Sequence, residues 1–296
     1  MTQSTPKKSL SVCIIGKPNA GKSTLLNHII GQKISIVTPK VQTTRSIITG
    51  IVTLGDIQLV LFDTPGIFEP RKKLEKAMVR CAWSSLGSAD MVVLIIDSST
   101  RLDDMMREIV KKISALDKKI TFLMNKIDLK SKYFIENIGF LDKSAPKSRI
   151  FNISALSGRG IDDFLEYLKD NATNSGWMYE EDDITNLPAR FLASEITREQ
   201  LFLQLNQELP YNLAVEYENW EEQKEGSVKI SQAIIVAKDS HKNMIIGKNG
   251  NRIKAIGIVA RNNIEKLLGR KVHLFLFVKL RKNWEDNTEF YNMVGT

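Results

Sequence analysis

Short apolar runs alternate with longer mixed stretches through the first half of the chain. Ser11–Ile15, Gln58–Phe62, Met91–Ile96, Ile120–Met124 and Arg149–Ile153 read as buried strands, and the β-prone run Ile47–Leu54 adds another. The stretches between them, rich in leucine, lysine and glutamate, read as helices, with Gly160–Asp170 the last. Strands alternating with helices predict βαβ units and a mostly parallel sheet covered on both faces. The pattern then changes. Asn171–Asn186 carries Asn174-Ser175-Gly176 and the acidic run Glu180-Glu181-Asp182-Asp183, and Pro188 follows. That composition predicts a linker. Beyond it, Phe191–Leu205 predicts an amphipathic helix. Leu213–Glu222 and Val228–Ala237 predict two strands with a turn near Gly226, Asn251–Leu268 a helix, and Val272–Lys279 a last strand. This second unit is α+β and too small for another enzyme core of ordinary size. The chain is thus divided into 1–173, a linker 174–189, and 190–296.

Composition adds to this picture in three places. A length of 296 residues suits two domains, and 43% hydrophobic with 26% charged residues is ordinary for a soluble globular protein. Net charge is +8, which favours an anionic partner such as nucleic acid or an acidic membrane face. Cys13 lies inside an apolar run and Cys81 is the only other cysteine, so a disulfide framework is not expected and a reducing cytosol fits. Met1–Ser9 is polar, with no apolar segment of a signal peptide after it. No apolar run approaches the roughly 18 residues of a membrane span.

The chemistry is concentrated in four loops that follow predicted strands. Gly16-Lys17-Pro18-Asn19-Ala20-Gly21-Lys22-Ser23 matches G-x-x-x-x-G-K-[ST] and leads through Thr24 into a predicted helix, Lys22–Ile30. Glycines let the backbone curl so that N–H groups point at phosphate oxygens, and the helix N-terminus adds a favourable dipole. Lys22 supplies positive charge to the β- and γ-phosphates, and the Ser23 hydroxyl can ligate Mg²⁺. Asp63-Thr64-Pro65-Gly66 follows the second run; its carboxylate can hold Mg²⁺ through water, and the Gly66 N–H is free to approach a γ-phosphate. Asn125-Lys126-Ile127-Asp128 follows another run. Asp128 can accept from guanine N1–H and the exocyclic amine, a donor pair that adenine lacks, so the nucleotide is GTP or GDP. Asn125 can tie this loop to the phosphate loop, and the Lys126 stem can lie on the base. Ser154-Ala155-Leu156 follows the last strand, where the Ala155 N–H could reach guanine O6.

These segments resemble the nucleotide motifs of the translation-factor-related GTPases. In that resemblance a threonine of Val41-Gln42-Thr43-Thr44-Arg45 binds Mg²⁺ in the GTP state; Thr44 is favoured, with Thr43 the alternative. Lys22, Thr44 and Gly66 are then the residues closest to catalysis. One departure matters. Ile67 stands where Ras-like enzymes place a water-orienting glutamine, which predicts slow intrinsic hydrolysis. Asn19 resembles the asparagine by which some relatives bind K⁺.

The second unit carries Gly247-Lys248-Asn249-Gly250, flanked by Ile245, Ile246, Arg252, Ile253 and Lys254. This resembles the G-x-x-G loop of KH domains, which clamps the backbone of single-stranded RNA. From Val228 to Lys282 there are 13 Lys/Arg against 2 Asp/Glu, a local net of +11. Such an excess is the electrostatic footprint of phosphate binding. Arg190–Glu225 has 3 basic against 8 acidic residues, predicting an acidic entrance before a basic face. His28, His241 and His273 have no ligand spacing, so no metal is assigned to them.

A GTPase with the T-T-R element fused to a C-terminal G-K-N-G unit resembles the Era family of bacterial GTPases over essentially the whole chain, through Lys282-Asn283-Trp284. The resemblance implies a Ras-like P-loop α/β domain followed by a type II KH domain, with both of its first strands before the G-x-x-G. It implies a cytoplasmic monomer that binds the 3′ end of small-subunit (16S) rRNA and assists 30S maturation, with peripheral association at the cytoplasmic (inner) membrane face. Two alternatives remain: a membrane-associated signalling GTPase, and a tRNA-modification GTPase, for whose extra substrate domains there is no room.

Overall fold

The computed structural model describes residues 6–40, 43–205, 209–282 and 284. Val41, Gln42 and Asn283 of the motifs above, and the ends of the chain, lie outside them. The described residues divide into two compact units, 6–35 with 44–186 and, separately, 36–40 with 43 and 187 onward.

In the first unit, β1 (Lys8–Ile15), β2 (Ile48–Leu54), β3 (Ile57–Asp63), β4 (Met91–Asp97), β5 (Lys119–Asn125) and β6 (Arg149–Asn152) form one sheet in the order β2-β3-β1-β4-β5-β6. Only β2 runs antiparallel. The helices are α1 (Lys22–Ile30), α2 (Lys73–Ser84), α3 (Asp104–Ser114), α4 (Phe134–Ser144) and α5 (Ile161–Asp170). The continuous apolar runs of β1 and β4 are buried along almost their full length, as parallel strands covered on both faces require. Cys13 is fully buried among them, and burial pushes its thiol up to about 11. Because β1, β3, β4, β5 and β6 are parallel, their C-terminal ends, and the loops that leave them, lie on one edge of the sheet. That edge is where open α/β sheets bind ligands.

The segment expected to be a linker belongs mostly to this unit. Gln58 on β3 is fully buried, and its amide needs partners. It finds them in the backbone of the segment: Met178 and Tyr179 N–H donate to its Oε1 at 2.9 and 3.0 Å, and its Nε2 donates to the Tyr179 carbonyl at 3.0 Å. Trp177 Nε1 donates to Asp56 O at 3.0 Å, and Ile51 N to Ile184 O at 2.9 Å. The acidic run Glu180-Glu181-Asp182-Asp183 is exposed, while hydrogen bonds on either side of it hold the segment to the sheet.

The second unit contains α6 (Ala189–Gln204), β7 (Leu213–Glu222), β8 (Val228–Val236), α7 (Asp239–Ile246), α8 (Asn251–Leu268) and β9 (Val272–Leu280). Its sheet has the order β7-β8-β9, with β7 antiparallel and β9 parallel to β8. Two strands precede the G-x-x-G loop and one follows the second helix, as the type II arrangement requires. The periodicity expected of α6 was amphipathic, yet Leu192, Ala193, Ser194 and all of Ile196–Phe202 are buried, including Arg198 and Glu199. Part of the extra cover comes from residues far upstream in sequence. Val37 N–H donates to Glu199 Oε1 at 2.9 Å, and Arg198 Nη2 to Thr43 O at 2.7 Å. The Lys40 ammonium donates to the Phe202 and Leu205 carbonyls, groups left open by the end of the helix.

Candidate functional site

Four loops at the C-terminal edge of the first sheet converge. Strand β1 ends in the phosphate loop, which runs into α1 at Lys22. Gly21 takes φ 108°, and a Cβ there would sit 2.1 Å from Asn125 Nδ2, so only glycine lets the guanine-reading loop approach this closely. Gly66 is equally confined: its Cβ would meet Pro18 N and Cγ at 2.8 Å. Hydrogen bonds to the backbone lock these segments together, Ile67 N donating to Gly16 O at 3.0 Å and the Thr64 hydroxyl to Ile14 O at 2.8 Å. Ile67, where a catalytic glutamine was missing, is buried in the core.

Lys22 is almost completely buried. Its ammonium donates to Gly16 O at 3.1 Å and Lys17 O at 3.0 Å. Burial lowers its pKa to about 8, against the opposing pull of Asp63. Lys17 instead pairs with Asp103, Asn19 is exposed at φ 61°, and Thr24 is half-buried on α1.

Asp63 is fully buried at the end of β3. Its Oδ2 accepts from Ser23 Oγ at 2.6 Å and from Ser35 Oγ at 2.8 Å, while Ser23 Oγ lies 3.0 Å from Thr44 Oγ1. Burial pushes the carboxyl pKa up; the Lys22 charge and the hydroxyls of Ser23, Ser35 and Thr44 oppose that rise. Asp63 Oδ1 is buried and has no hydrogen-bond partner. A bare carboxylate oxygen beside two hydroxyls is the hard oxygen donor set that suits Mg²⁺ and its waters. Thr43 faces elsewhere, bonding Lys40 O at 2.9 Å and Thr38 Oγ1 at 3.1 Å.

At the base end, Asn125 is buried and spans two loops. Its Nδ2 donates to Ala20 O at 2.7 Å, and its Oδ1 accepts from Ala155 N at 2.8 Å. A contact from that N–H to guanine O6 would therefore have to share it with Asn125. Lys126 takes φ 66° and its ammonium lies 2.6 Å from Asp97 Oδ2. Burial alone would raise the Asp97 pKa, but hydrogen bonds from Lys126 and Ser99 hold it below the usual value. Asp128 and Leu156 are exposed, and Ser154 is buried, its Oγ accepting from Ser157 N at 3.2 Å.

In the second unit, the G-x-x-G turn joins α7 to α8. Gly247 has φ 71°, and a Cβ there would lie 2.7 Å from Arg252 Cβ. Lys248, Asn249, Arg252 and Lys254 are exposed; Ile246 is half-buried. Ile245 is fully buried in the core, so it packs the unit and does not face a ligand. A groove of about 300 Å³ runs between α8 and β9, lined among others by Ile253, Lys254, Ile258, Arg261 and Phe275. Phe275, with its neighbour Phe277, is half exposed on β9. The sequence reading missed both, although their alternation with half-buried Leu274, Leu276 and Val278 signals a strand face left open.

The acidic entrance is redistributed by strand pairing. Glu216, Glu218, Glu221 and Glu222 on β7 pair with Arg281, Lys279, Lys229 and Arg270. These acids therefore offset part of the basic excess. Lys248, Arg252 and Lys254 remain exposed at the turn. Among the described residues, the only non-glycine positions with positive φ are Asn19, Lys126 and Asn249, in the phosphate loop, the guanine-reading loop and the G-K-N-G turn. Backbone strain collects where ligands bind.

The fold and these two sites define a guanine-nucleotide GTPase joined to a KH domain. A family model described as "50S ribosome-binding GTPase" matches residues 11–126, and one described as "KH domain" matches residues 208–285. GTPase Era of Rickettsia conorii is 61% identical over 285 residues, covering 96% of this chain and 84% of that one. GTPase Era of Brucella suis is 44% identical, covering 99% and 95%. An Era structure in complex with MgGDPNP and nucleotides 1506–1542 of 16S ribosomal RNA superposes with a TM-score of 0.91 at 36% identity, covering 98% and 99%. A variant of Aquifex aeolicus Era bound to GDP and aluminium fluoride gives the same TM-score and identity, covering 97% and 99%. The chain belongs to the GTPase Era family, and is a GTPase. Among the described residues no helix is long and apolar enough to cross a membrane.

Proposed function

We propose that this protein is a GTP-gated chaperone of small-subunit rRNA: it binds the 3′ end of 16S rRNA through the G-K-N-G turn and the α8–β9 groove, and assists 30S maturation. The observation that carries this reading is one chain holding both a guanine-nucleotide cradle and an open groove lined by Lys254 and Arg261, with Lys248 and Arg252 exposed at and just after the G-K-N-G turn. Exposed Phe275 offers a face on which a base can stack, and the glycines allow close approach of the sugar-phosphate chain.

At the nucleotide, Lys22 leaves the Gly16 and Lys17 carbonyls for phosphate oxygens, and Asp128 reads the guanine edge. Ser23, Thr44 and Asp63 would hold Mg²⁺, which would neutralise phosphate charge; Thr44 is preferred over Thr43 because it lies beside Ser23. Gly66 N–H takes the γ-phosphate. GTP then orders Thr44 and Asp63–Gly66, and hydrolysis releases them. With Ile67 in the glutamine's place, intrinsic turnover is slow. Asn19 would hold K⁺, which would supply positive charge where an arginine finger acts; equal turnover in K⁺ and Na⁺ buffers would remove this role. The protein acts as a cytoplasmic monomer, which light scattering checks against 33.5 kDa. Its basic charge gives it loose attraction to an anionic membrane face, read by sedimentation with anionic vesicles.

The deciding test is binding of an RNA copying the 3′ end of 16S rRNA, with GDPNP or GDP, at stated salt. Tight binding that needs GDPNP and is lost on Gly247→Asp supports the gated reading. Binding indifferent to sequence and nucleotide overturns it.

A further inference from the structure

The sequence reading gave no role to Asn27 or Ser35, and the geometry ties both to the metal carboxylate. Ser23 and Asn27 are four residues apart on α1 and so share one helix face. Ser23 reaches Asp63 directly. Asn27 instead grips the chain at Ser35: its Oδ1 accepts from Ile34 N and Ser35 N, both at 2.9 Å, and its Nδ2 donates to Ser35 O at 2.7 Å. One side chain thus satisfies both backbone groups of Ser35. Ser35 is itself 1% exposed, and its hydroxyl donates to Asp63 Oδ2 at 2.8 Å. That is the same oxygen that takes the Ser23 hydroxyl at 2.6 Å.

Two donors on one carboxylate oxygen fix the plane of the group. The other oxygen, Oδ1, is left buried and bare. A carboxylate free to rotate could turn Oδ1 toward the Ser35 or Ser23 hydroxyl and close that vacancy. We infer that Ser35, held by Asn27, is a positioning residue that presents Asp63 Oδ1 to the magnesium shell. Ser35 acts through Asp63. It sits at the N-terminal end of the segment that carries the Mg²⁺-binding threonine, so the same clamp anchors the start of that segment. The inference rests on the proposed magnesium role of Asp63.

The test uses the full chain loaded with a fluorescent GDP analogue. Release is followed while free Mg²⁺ is titrated, beside thermal melts of the nucleotide-free protein. Wild type should retain nucleotide with a clear Mg²⁺ midpoint; if it has none, the magnesium reading of Asp63 itself fails. Ser35→Ala should raise that midpoint by about tenfold, the loss expected for a hydrogen bond to a charged group, while affinity in EDTA stays within about twofold of wild type. Ser35→Thr, which keeps the hydroxyl, should restore the midpoint. Asn27→Ser should move it in the same direction by less, and serves if Ser35→Ala does not fold. A folded Ser35→Ala protein whose melting temperature drops while its Mg²⁺ midpoint matches wild type would overturn the inference, leaving Ser35 a packing residue.

Discussion

The two sites of this protein solve anion binding in opposite ways. In the first unit the working groups are buried and already bonded: Lys22, Asp63, Thr64 and Asn125 are each 5% exposed or less. In the second, Lys248, Asn249, Arg252 and Lys254 stand in solvent, and Lys254 lines an open groove. A buried polar set is preorganised and discriminates, because a wrong ligand leaves groups unpaired in a low dielectric. An exposed basic set attracts any phosphate chain and is screened by salt. A compact phosphate and metal site that must hold one geometry calls for the first, while the guanine reader Asp128 stays exposed at its rim. A long RNA that must be gripped and released suits the second.

The sharpest way to break the contrast is in the buried site. Gly21→Ala places a Cβ against the Asn125 amide at a positive φ, so GDP affinity should fall by about three orders of magnitude or more, with stability lowered by roughly 2 kcal/mol or more. Calorimetry and thermal melts read both. Asn125→Ala should come next. It orphans the Ala155 N–H and the Ala20 carbonyl, and a cost of about 2–3 kcal/mol corresponds to roughly a hundredfold loss of GDP affinity.

Lys22 gives a pH signature that the exposed lysines should lack. Phosphate needs the ammonium, whose pKa burial has lowered to about 8 from 10.5. GDP affinity should be flat below about pH 8 and fall above it, by up to tenfold per unit. Stability of the empty protein should move the other way. Between 8 and 10.5 the unfolded chain holds more protons than the folded one, so this group's contribution rises with pH. An affinity flat to pH 10 would show that Lys22 is not poised as its burial indicates.

The exposed site should respond more gently. Lys248→Ala should weaken RNA binding several-fold for all sequences and lower the salt slope by about 0.7, one single-strand phosphate contact. A sequence-dependent loss would make Lys248 a base reader. The smallest effect is expected from Glu216→Gln, which removes a partner of Arg281 across the sheet edge; RNA affinity should change less than about twofold. A larger gain would mean that the acids of β7 hold the basic face in check.

How much of this was legible in the chain follows the same division. The phosphate loop, Asp63, Asn125 and Asp128 could be named because their chemistry requires fixed residue types at fixed spacing after a strand, and local backbone geometry does the rest. The G-K-N-G turn was legible for the same reason. Ser35 and Asn27 were not, since serine and asparagine in a loop carry no signal until α1 and β3 bring them to one carboxylate. The linker reading missed the hold of Gln58 on Met178 and Tyr179, some 120 residues away in sequence. Ile245 and Ile246 flank the turn alike in sequence, yet Ile245 is core, because helical phase at the end of α7 decides which isoleucine turns inward.

The sequence by itself determined the order of strands and helices, the nucleotide chemistry and the sign of the second unit's charge, all of which rest on local periodicity and motif spacing. Tertiary structure alone decided which polar residues meet in the buried site, which acids neutralise which bases, and which stretch of chain covers α6. Those outcomes depend on pairings between residues distant along the chain. Such pairings are selected only when burial makes an unpartnered polar group costly, a condition no local stretch of sequence reveals.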